Sequence, residues 1–484
     1  MRFPAIDRRS FISSLALIVL ASCRKSPVII SPPRTDPDVD MGAYDITEFG
    51  DQLYLPPTDI SKIFHGYTDK ISYKPGETVD LYLSGPPTNS QAITLTDVDG
   101  NNVLSFSTAI NFQTIGSPKP WVDGFMYKKT TSVRLPDNLK SGFYRFNGDI
   151  PLICSGNNTA PDITVVFPSN TYNAYNFYGG KSFYRPGDAV GNAVHRATVV
   201  SFLRYNPVSA AAPGNFNESF FQWIANQNYN TRYIADSDLE NYSEIENSGI
   251  VIITGKSEYW TKQARTNIDK FTASGKNLLV FSGNTMYWQT RFNLKKDLMI
   301  CYKSAGLDPL SSTLYNTYLW DSPDLKYPVA GSIGANFNGG GYPMKVASPT
   351  NGFLIAQDTS PLLIGTGLKT GDLLNLPTVE TDGAPVLKMI LPGSTEIPVI
   401  DNEKLNFYKI ELIAYTFTLN PDNNPGLGTF VAFKKTPSSG TVVNVASTNW
   451  CSTTGIGGAD KDKIETITKN MIDGSLNNSN LFTT

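Results

Sequence analysis

Short segments of alternating apolar and polar residues follow one another from residue 61 to residue 156. Turn-forming stretches such as residues 74–77 and 97–100 separate them. Alternation with a period of two is typical of strands that bury one face. The pattern therefore predicts an immunoglobulin-like β-sandwich over residues 61–156. Its strands are predicted at residues 70–73, 79–83, 93–95, 103–106, 132–135 and 143–146.

From residue 157 the elements become longer, and continuous apolar runs alternate with amphipathic helices. Helices are predicted at 216–227 and 260–271, because apolar residues recur there every three or four positions. This alternation favours an α/β domain over residues 157–484. We expect a mostly parallel, Rossmann-like or glutamine-amidotransferase-like sheet with helices on both faces. Its strands are predicted at residues 163–167, 198–203, 249–254 and 278–281, and residues 302–432 are predicted to form inserted loops and β-hairpins.

The first residues have the pattern of an export signal. Positive charge precedes an apolar stretch at residues 11–20, which is too short to span a bilayer, and Leu20-Ala21-Ser22-Cys23 follows. We therefore predict a lipoprotein signal peptide over residues 1–22, with Cys23 as the lipid-anchored residue. Arg8-Arg9 also resembles a twin-arginine signal. Residues 23–60, rich in Pro, Asp and Ser, are predicted to tether the protein to the bacterial cell envelope, at the outer membrane or its periplasmic face.

Composition narrows the possible chemistry. The net charge of −3 provides no basic surface for nucleic acid, which we exclude as a partner. Beyond Cys23 the chain has only Cys154, Cys301 and Cys451, so at most one disulfide is possible among them. It has two histidines, at positions 65 and 195, but 24 tyrosines. A catalytic site is therefore expected to use oxygen and amine groups.

Polar loops follow three of the predicted strands. They cover residues 170–176, 255–261 and 282–288. In open α/β sheets, ligands bind at the carboxyl ends of the strands. We expect these loops to converge on one site.

The same loops carry a family resemblance. The sequence resembles the N,N-dimethylformamidase large-subunit family over nearly all of the mature chain. The matching motifs occur in the family's order: Thr171-Tyr172-Asn173-Ala174-Tyr175-Asn176, residues 255–261, Gly283-Asn284 with Tyr287-Trp288, Cys301-Tyr302-Lys303, and residues 440–444 with Asn449-Trp450.

The resemblance implies one mononuclear ferric ion held by two tyrosines and a glutamate. By motif these are Tyr175, Glu258 and, in Ser141-Gly142-Phe143-Tyr144, the second tyrosine Tyr144. Such oxygen ligands suit a hard ion acting as a Lewis acid. The family's polar active-site positions fall on Asn284 and Lys303, which would orient the substrate carbonyl. The implied function is iron-dependent hydrolysis of a small amide C–N bond outside the cytoplasm.

Departures from the family and simpler roles leave alternatives open. Lys256 replaces a family histidine; beside a ferric ion it would become a neutral amine that acts as a base, or else it is a solvated loop lysine. Glu258 could cap the following helix, and Tyr175 could merely pack. The family enzyme's lectin-like domain and small partner subunit do not appear in the sequence. The alternative function is a non-catalytic or carbohydrate-binding surface lipoprotein, with a glycan as its ligand.

Overall fold

The fold is taken from a computed structural model that describes Tyr44, Leu53 and residues 59–184, 196–207, 216–310, 312–344 and 352–483. These residues all belong to one compact unit. The predicted signal peptide, Cys23, nearly all of the predicted tether and His195 lie outside the described residues. Within the described part, no helix has the length and apolar character needed to cross a membrane.

Two sheets form the first part of this unit. One has the order β1-β3-β6 and the other the order β2-β8-β7-β4-β5. Their buried side chains, among them Val79, Leu81, Ile93 and Phe146, form a single cluster between the sheets. The elements are β1 (His65–Thr68), β2 (Ser72–Tyr73), β3 (Thr78–Ser84), β4 (Thr88–Thr96), β5 (Asn102–Ile110), α1 (Pro120–Asp123), β6 (Thr131–Arg134), β7 (Gly142–Phe146) and β8 (Ile150–Cys154). Immunoglobulin-like topology stays a prediction.

The second part carries the two longest of the described strands and most of the described helices. Its strands are β9 (Ile163–Phe167), β10 (Val199–Ser201), β11 (Thr231–Ala235), β12 (Ile250–Lys256), β13 (Tyr259–Thr261), β14 (Asn277–Gly283), β15 (Trp288–Phe292), β16 (Leu298–Ile300), β17 (Asn336–Pro343), β18 (Phe353–Ile355), β19 (Leu373–Leu374), β20 (Thr381–Gly383), β21 (Lys409–Leu419), β22 (Pro425–Lys434) and β23 (Thr441–Asn444). Its helices are α2 (Ser169–Ala174), α3 (Glu218–Ala225), α4 (Lys262–Ala273), α5 (Ala330–Ile333), α6 (Asn402–Leu405) and α7 (Lys461–Leu476). Single 3₁₀ turns occur at Ile60–Lys62, Asp236–Glu240, Tyr242–Glu244, Thr313–Tyr315 and Pro361–Leu363.

The main sheet is mixed. Its order is β11-β9-β12-β14-β23-β22-β21-β17-β20, and β18 and β19 pair beside β21. The strands from β11 to β23 in this order run parallel to one another. From β22 onward the pairing is antiparallel. A four-stranded sheet of order β10-β16-β15-β13 lies apart from it.

The prediction of a mostly parallel, Rossmann-like or glutamine-amidotransferase-like α/β fold is wrong. The described residues are mostly β, with 23 strands in mixed and antiparallel sheets and only 18% helix. The error came from residues 302–432. This range is rich in Gly, Pro and Asn and was predicted as inserted loops and β-hairpins, but its strands extend the main sheet in antiparallel fashion. The predicted strand at 198–203 was also misplaced, because β10 pairs antiparallel with β16 outside the main sheet.

Strands β9, β12 and β14 bury both faces, which explains their continuous apolar sequences. Val165, Ile252 and Leu279 join one cluster with α3 and α7. The alternate residues, such as Val251 and Val280, join a second cluster with α4. Helices therefore cover both faces of the parallel strands and leave the strand ends to carry polar groups.

Three cysteines lie buried as free thiols, so the one possible disulfide is not formed among them. Cys154, Cys301 and Cys451 belong to three different apolar clusters. Burial raises the pKa of Cys154 and of Cys301 to about 11. These thiols are packing residues rather than nucleophiles.

Candidate functional site

A tight turn at the end of β12 delivers the central carboxylate. Gly255 has a φ of +67°, and a Cβ there would lie 2.2 Å from the Asn217 side chain, so only glycine fits. Glu258 follows and is 2% exposed. It does not cap α4, because Thr261 does so by accepting a hydrogen bond from the Ala264 amide.

Glu258 accepts hydrogen bonds on both carboxylate oxygens. Tyr175 donates to Oε2 at 2.8 Å, and Tyr184 donates to Oε1. The Trp288 indole also donates to Oε1, at 3.0 Å. The Glu258 amide is held in turn by Thr171 Oγ1 at 2.9 Å. Glu258 is thus fixed by partners from two of the three predicted loops, residues 170–176 and 282–288, and by Tyr184.

Two stacked phenol rings flank the carboxylate. Tyr175 is the residue that ends α2, and its ring centroid lies 4.1 Å from that of Tyr184. Tyr259 donates to the Tyr184 hydroxyl at 2.7 Å. Burial, together with the negative charge of Glu258, raises the pKa of all three phenols well above its ordinary value. Tyr175 and Tyr184 remain partly exposed, so the cluster can be approached from the side of their rings.

Lys256 lies inside this cluster and not in solvent. Its Nζ is 2.7 Å from the Tyr175 hydroxyl and 2.8 Å from a Glu380 oxygen. Burial acts to lower the pKa of Lys256, but the carboxylates of Glu380 and Glu258 outweigh it and raise that pKa. The interpretation of Lys256 as a solvated loop lysine is therefore wrong. The amine is a charged partner of the two carboxylates.

Asn284 and Lys303 also reach this region. Asn284 is 3% exposed and has a φ of +51°, and its side chain acts to lower the pKa of Glu380, which burial raises. Lys303 donates to the Phe183 carbonyl at 3.1 Å, and its Nζ lies 3.6 Å from the centroid of the Tyr184 ring. Burial lowers the pKa of Lys303 to about 7. Lys303 thus contacts Tyr184, which donates to Glu258, whereas Asn284 lies beside Glu380.

Tyr144 does not join the cluster. Its hydroxyl donates to the Lys140 carbonyl at 2.8 Å, and its ring packs in the core between the two sheets of the first part. The alternation along β7 accounts for this, because Phe143 points toward the main sheet and Tyr144 toward the other side. Tyr184, which no sequence pattern singled out, is a second tyrosine that donates to Glu258.

The cluster offers oxygen ligands suited to a hard cation. Tyr175 and Tyr184 bring two phenol oxygens within hydrogen-bonding distance of the Glu258 carboxylate. Phenolate and carboxylate ligands favour an ion such as ferric iron. In the described residues, no group of three His, Cys, Asp or Glu side chains offers another metal site. The residues present therefore fit the iron that the sequence resemblance implies.

A cavity of about 330 Å³ lies beside the same helix but does not contain the cluster. Ser169 and Tyr172 of α2 line it, together with Ile71 and Pro151 of the first part. Tyr172 stacks on Phe167 and accepts a hydrogen bond from Asn217, as a packing residue does. The candidate chemistry thus lies outside this cavity.

A buried carboxyl group holds the start of α2. Asp236 accepts hydrogen bonds from the Ser169 hydroxyl and the Asn170 amide. Burial, only partly opposed by these hydrogen bonds, raises its pKa from 3.8 to about 8. The native protein therefore binds more protons here than the unfolded chain, and this contribution to stability is lost as the pH rises from 3.8 to about 8.

Asp236→Asn is expected to reduce the loss of stability with rising pH, because asparagine is neutral and keeps an acceptor oxygen for Ser169. Urea unfolding at pH 5, 6.5 and 8 should show a slope smaller by up to about 1.4 kcal/mol per pH unit. The free energy of unfolding of the variant should still fall somewhat with rising pH, because burial also raises the pKa of Asp382 to about 7. Equal slopes in the variant and the wild-type protein would contradict the assignment.

Comparison with known families identifies one match. Residues 104–461 match the family model described as N,N-dimethylformamidase beta subunit-like, C-terminal. The match covers every residue of the cluster and begins within β5 of the first part. The sequence resemblance is thereby confirmed over this range. No curated protein matches the chain.

Proposed function

Because the chain belongs to the N,N-dimethylformamidase beta subunit-like family, we propose that it hydrolyses the C–N bond of a small amide at the cluster around Glu258. The observation that carries this proposal is the convergence of Tyr175 and Tyr184 on one buried carboxylate. Glu258 is distant in sequence from both tyrosines, and packing alone does not require these three oxygens to meet. The chemistry of the oxygen ligands supports a metal-dependent hydrolase.

In this proposal Tyr175, Tyr184 and Glu258 hold one ferric ion. When bound, the ion supplies a Lewis acid for an amide carbonyl and for water. The Trp288 indole and the Thr171 hydroxyl keep Glu258 in one orientation. Lys256 places its amine beside Tyr175 and Glu380. Asn284 and Lys303 are the polar groups that we assign to orienting the substrate carbonyl.

Metal content and hydrolysis test the proposal together. Protein expressed in iron-replete medium is expected to contain one iron per chain and to be coloured, because phenolate-to-iron charge transfer absorbs visible light. It should release amine from formamides or other small amides. A colourless, iron-free and inactive protein would overturn the proposal and favour the alternative of a glycan-binding surface protein.

Lys256→His restores the family's residue at this position and is expected to raise formamide hydrolysis. An imidazole titrates near neutral pH and can accept a proton there, whereas the carboxylates of Glu380 and Glu258 raise the pKa of Lys256 above its ordinary value. The measurement is kcat/KM for formamide in both proteins at equal iron content. Lys388→His, at an exposed lysine paired with Glu396, is the matched control and should leave the rate unchanged. An unaltered rate in Lys256→His would argue against a catalytic position.

We further propose that the protein acts in the cell envelope, anchored by lipid at Cys23. The support is the sequence Leu20-Ala21-Ser22-Cys23 behind a short apolar stretch. Cys23→Ser is expected to leave unprocessed or soluble protein. Fractionation of cells expressing each form measures this, and Cys154→Ser is the control for loss of a thiol. A Cys23→Ser variant that is still processed and partitions into detergent would contradict the anchor.

A further inference from the structure

Arg204 is a buried cation without a carboxylate partner among the described residues. It is 1% exposed, and its guanidinium hydrogen-bonds protein oxygens that carry no formal charge. Burying an unpaired charge is costly unless its donors are all satisfied. Burial lowers its pKa to about 9. Five hydrogen bonds match the five guanidinium donors of Arg204, so its acceptors show which parts of the chain the side chain holds in place.

The acceptors of Arg204 lie mostly on one segment of the chain. Its Nη2 donates to the carbonyl and the side-chain oxygen of Asn173, both at 3.2 Å. Its Nη1 donates to the carbonyls of Tyr178 at 2.9 Å and Lys181 at 3.0 Å. Its Nε donates to the Ser201 carbonyl at 2.9 Å, beside the arginine itself. The guanidinium thus holds the backbone at Asn173, Tyr178 and Lys181 next to Ser201 at the end of β10.

This segment joins the two tyrosines of the cluster. Tyr175 lies two residues after Asn173, the first residue of the segment bonded to Arg204. Tyr184 lies three residues after Lys181, the last one. A planar guanidinium directs its donors in a fixed fork, so the anchored carbonyls cannot move independently. The Phe183 amide also donates to the Ala174 carbonyl at 3.0 Å, which closes the segment on itself. The distance between the two phenols then depends on the guanidinium.

From this geometry we infer that Arg204 is a positioning residue that sets the spacing of Tyr175 and Tyr184 around Glu258. It touches neither phenol and acts through the backbone between them. The inference rests on the proposed function, because that function gives the spacing its purpose. A lysine would keep the charge but lose the fork, and it could reach only part of the same acceptors.

The test compares Arg204→Lys with Arg265→Lys in the full chain. Arg265 is a matched control, since it is also buried and donates to the carbonyls of Tyr327 and Pro328, away from the cluster. Both variants are expected to be less stable. In the folded fraction, Arg204→Lys should bind iron about 10- to 100-fold more weakly and shift the visible band. Arg265→Lys should keep the wild-type band and affinity, measured by competition with a chelator.

Asn173→Ala is a milder variant in case Arg204→Lys does not fold. It removes one acceptor of Arg204 at a helical position that tolerates alanine, and it should weaken iron binding in the same direction. Wild-type band and affinity in Arg204→Lys, or equal losses in Arg265→Lys, would overturn the inference. So would unaltered iron binding in Asn173→Ala if that variant alone can be measured.

An iron-free wild-type protein would overturn the proposed function, and hydrogen–deuterium exchange would then decide the inference separately. Loss of protection confined to residues 169–184 in Arg204→Lys, or in Asn173→Ala, would support it. Loss spread evenly over the chain, or no loss at all, would overturn it.

Discussion

Replacing Tyr175 or Tyr184 by Phe is expected to remove the iron and the colour of the protein while leaving it folded. Each substitution deletes one phenol oxygen at Glu258 and keeps the ring and nearly all of its packing area. Loss of a ligand should lower iron affinity at least about 100-fold, since loss of a mere supporting contact already costs 10- to 100-fold. Visible absorption and elemental iron per chain are the measurements. Circular dichroism checks the fold.

Tyr144→Phe and Tyr172→Phe are the matched controls. Tyr144 donates to the Lys140 carbonyl in the first part, and Tyr172 stacks on Phe167 beside the cavity. Both variants should keep their iron and colour. If Tyr144→Phe bleached the protein and Tyr184→Phe did not, the ligand set inferred from the sequence would be restored and the one based on the structure would fail.

Lys256→Met is expected to destabilise the protein strongly, whatever its effect on activity. The variant would leave the carboxylates of Glu380 and Glu258 buried without the ammonium that now lies 2.8 Å from one and 3.6 Å from the other. Removing one member of a buried ion pair typically costs about 3–5 kcal/mol. Denaturant unfolding at neutral pH, monitored by fluorescence, measures the free energy of unfolding.

Two further variants show whether the loss comes from uncompensated charge. Lys388→Met removes the lysine of an exposed pair with Glu396 and should cost less than about 1 kcal/mol. The double variant Lys256→Met with Glu380→Leu removes both charges of the buried pair and should recover part of the stability. A Lys256→Met protein as stable as Lys388→Met would show that the buried pair does not contribute as the structure indicates.

Local sequence pattern predicted individual elements better than it predicted their arrangement. The run at residues 163–167 gave β9 with its observed limits, because a strand buried on both faces reads as uninterrupted apolar sequence. The same reasoning predicted only inserted loops and β-hairpins over residues 302–432 and could not foresee that β21 and β22 extend the main sheet. Their hairpin joins the sheet beside β23 through pairing that no local pattern encodes. The antiparallel half of the sheet was missed for this reason.

The candidate site likewise contains some residues that the sequence predicted and others that it did not. Tyr175 and Glu258 could be chosen because each lies in a motif that follows a predicted strand, and the structure brings them within hydrogen-bonding distance. Tyr184 and Glu380 lie in stretches without such a motif. They reach the cluster through tertiary packing, Glu380 from just before β20. Tyr144 was chosen by motif alone, and the alternation of β7 turns it away.

The three free cysteines give the protein a built-in set of unfolding reporters. Each thiol lies in a different apolar cluster and is shielded from alkylating reagents until that cluster opens. Pulsed alkylation followed by peptide mass mapping would therefore record the order in which the regions around Cys154, Cys301 and Cys451 come apart. Simultaneous labelling would reveal a single cooperative folding unit, and staggered labelling would reveal separate ones. No engineered probe is needed for this experiment.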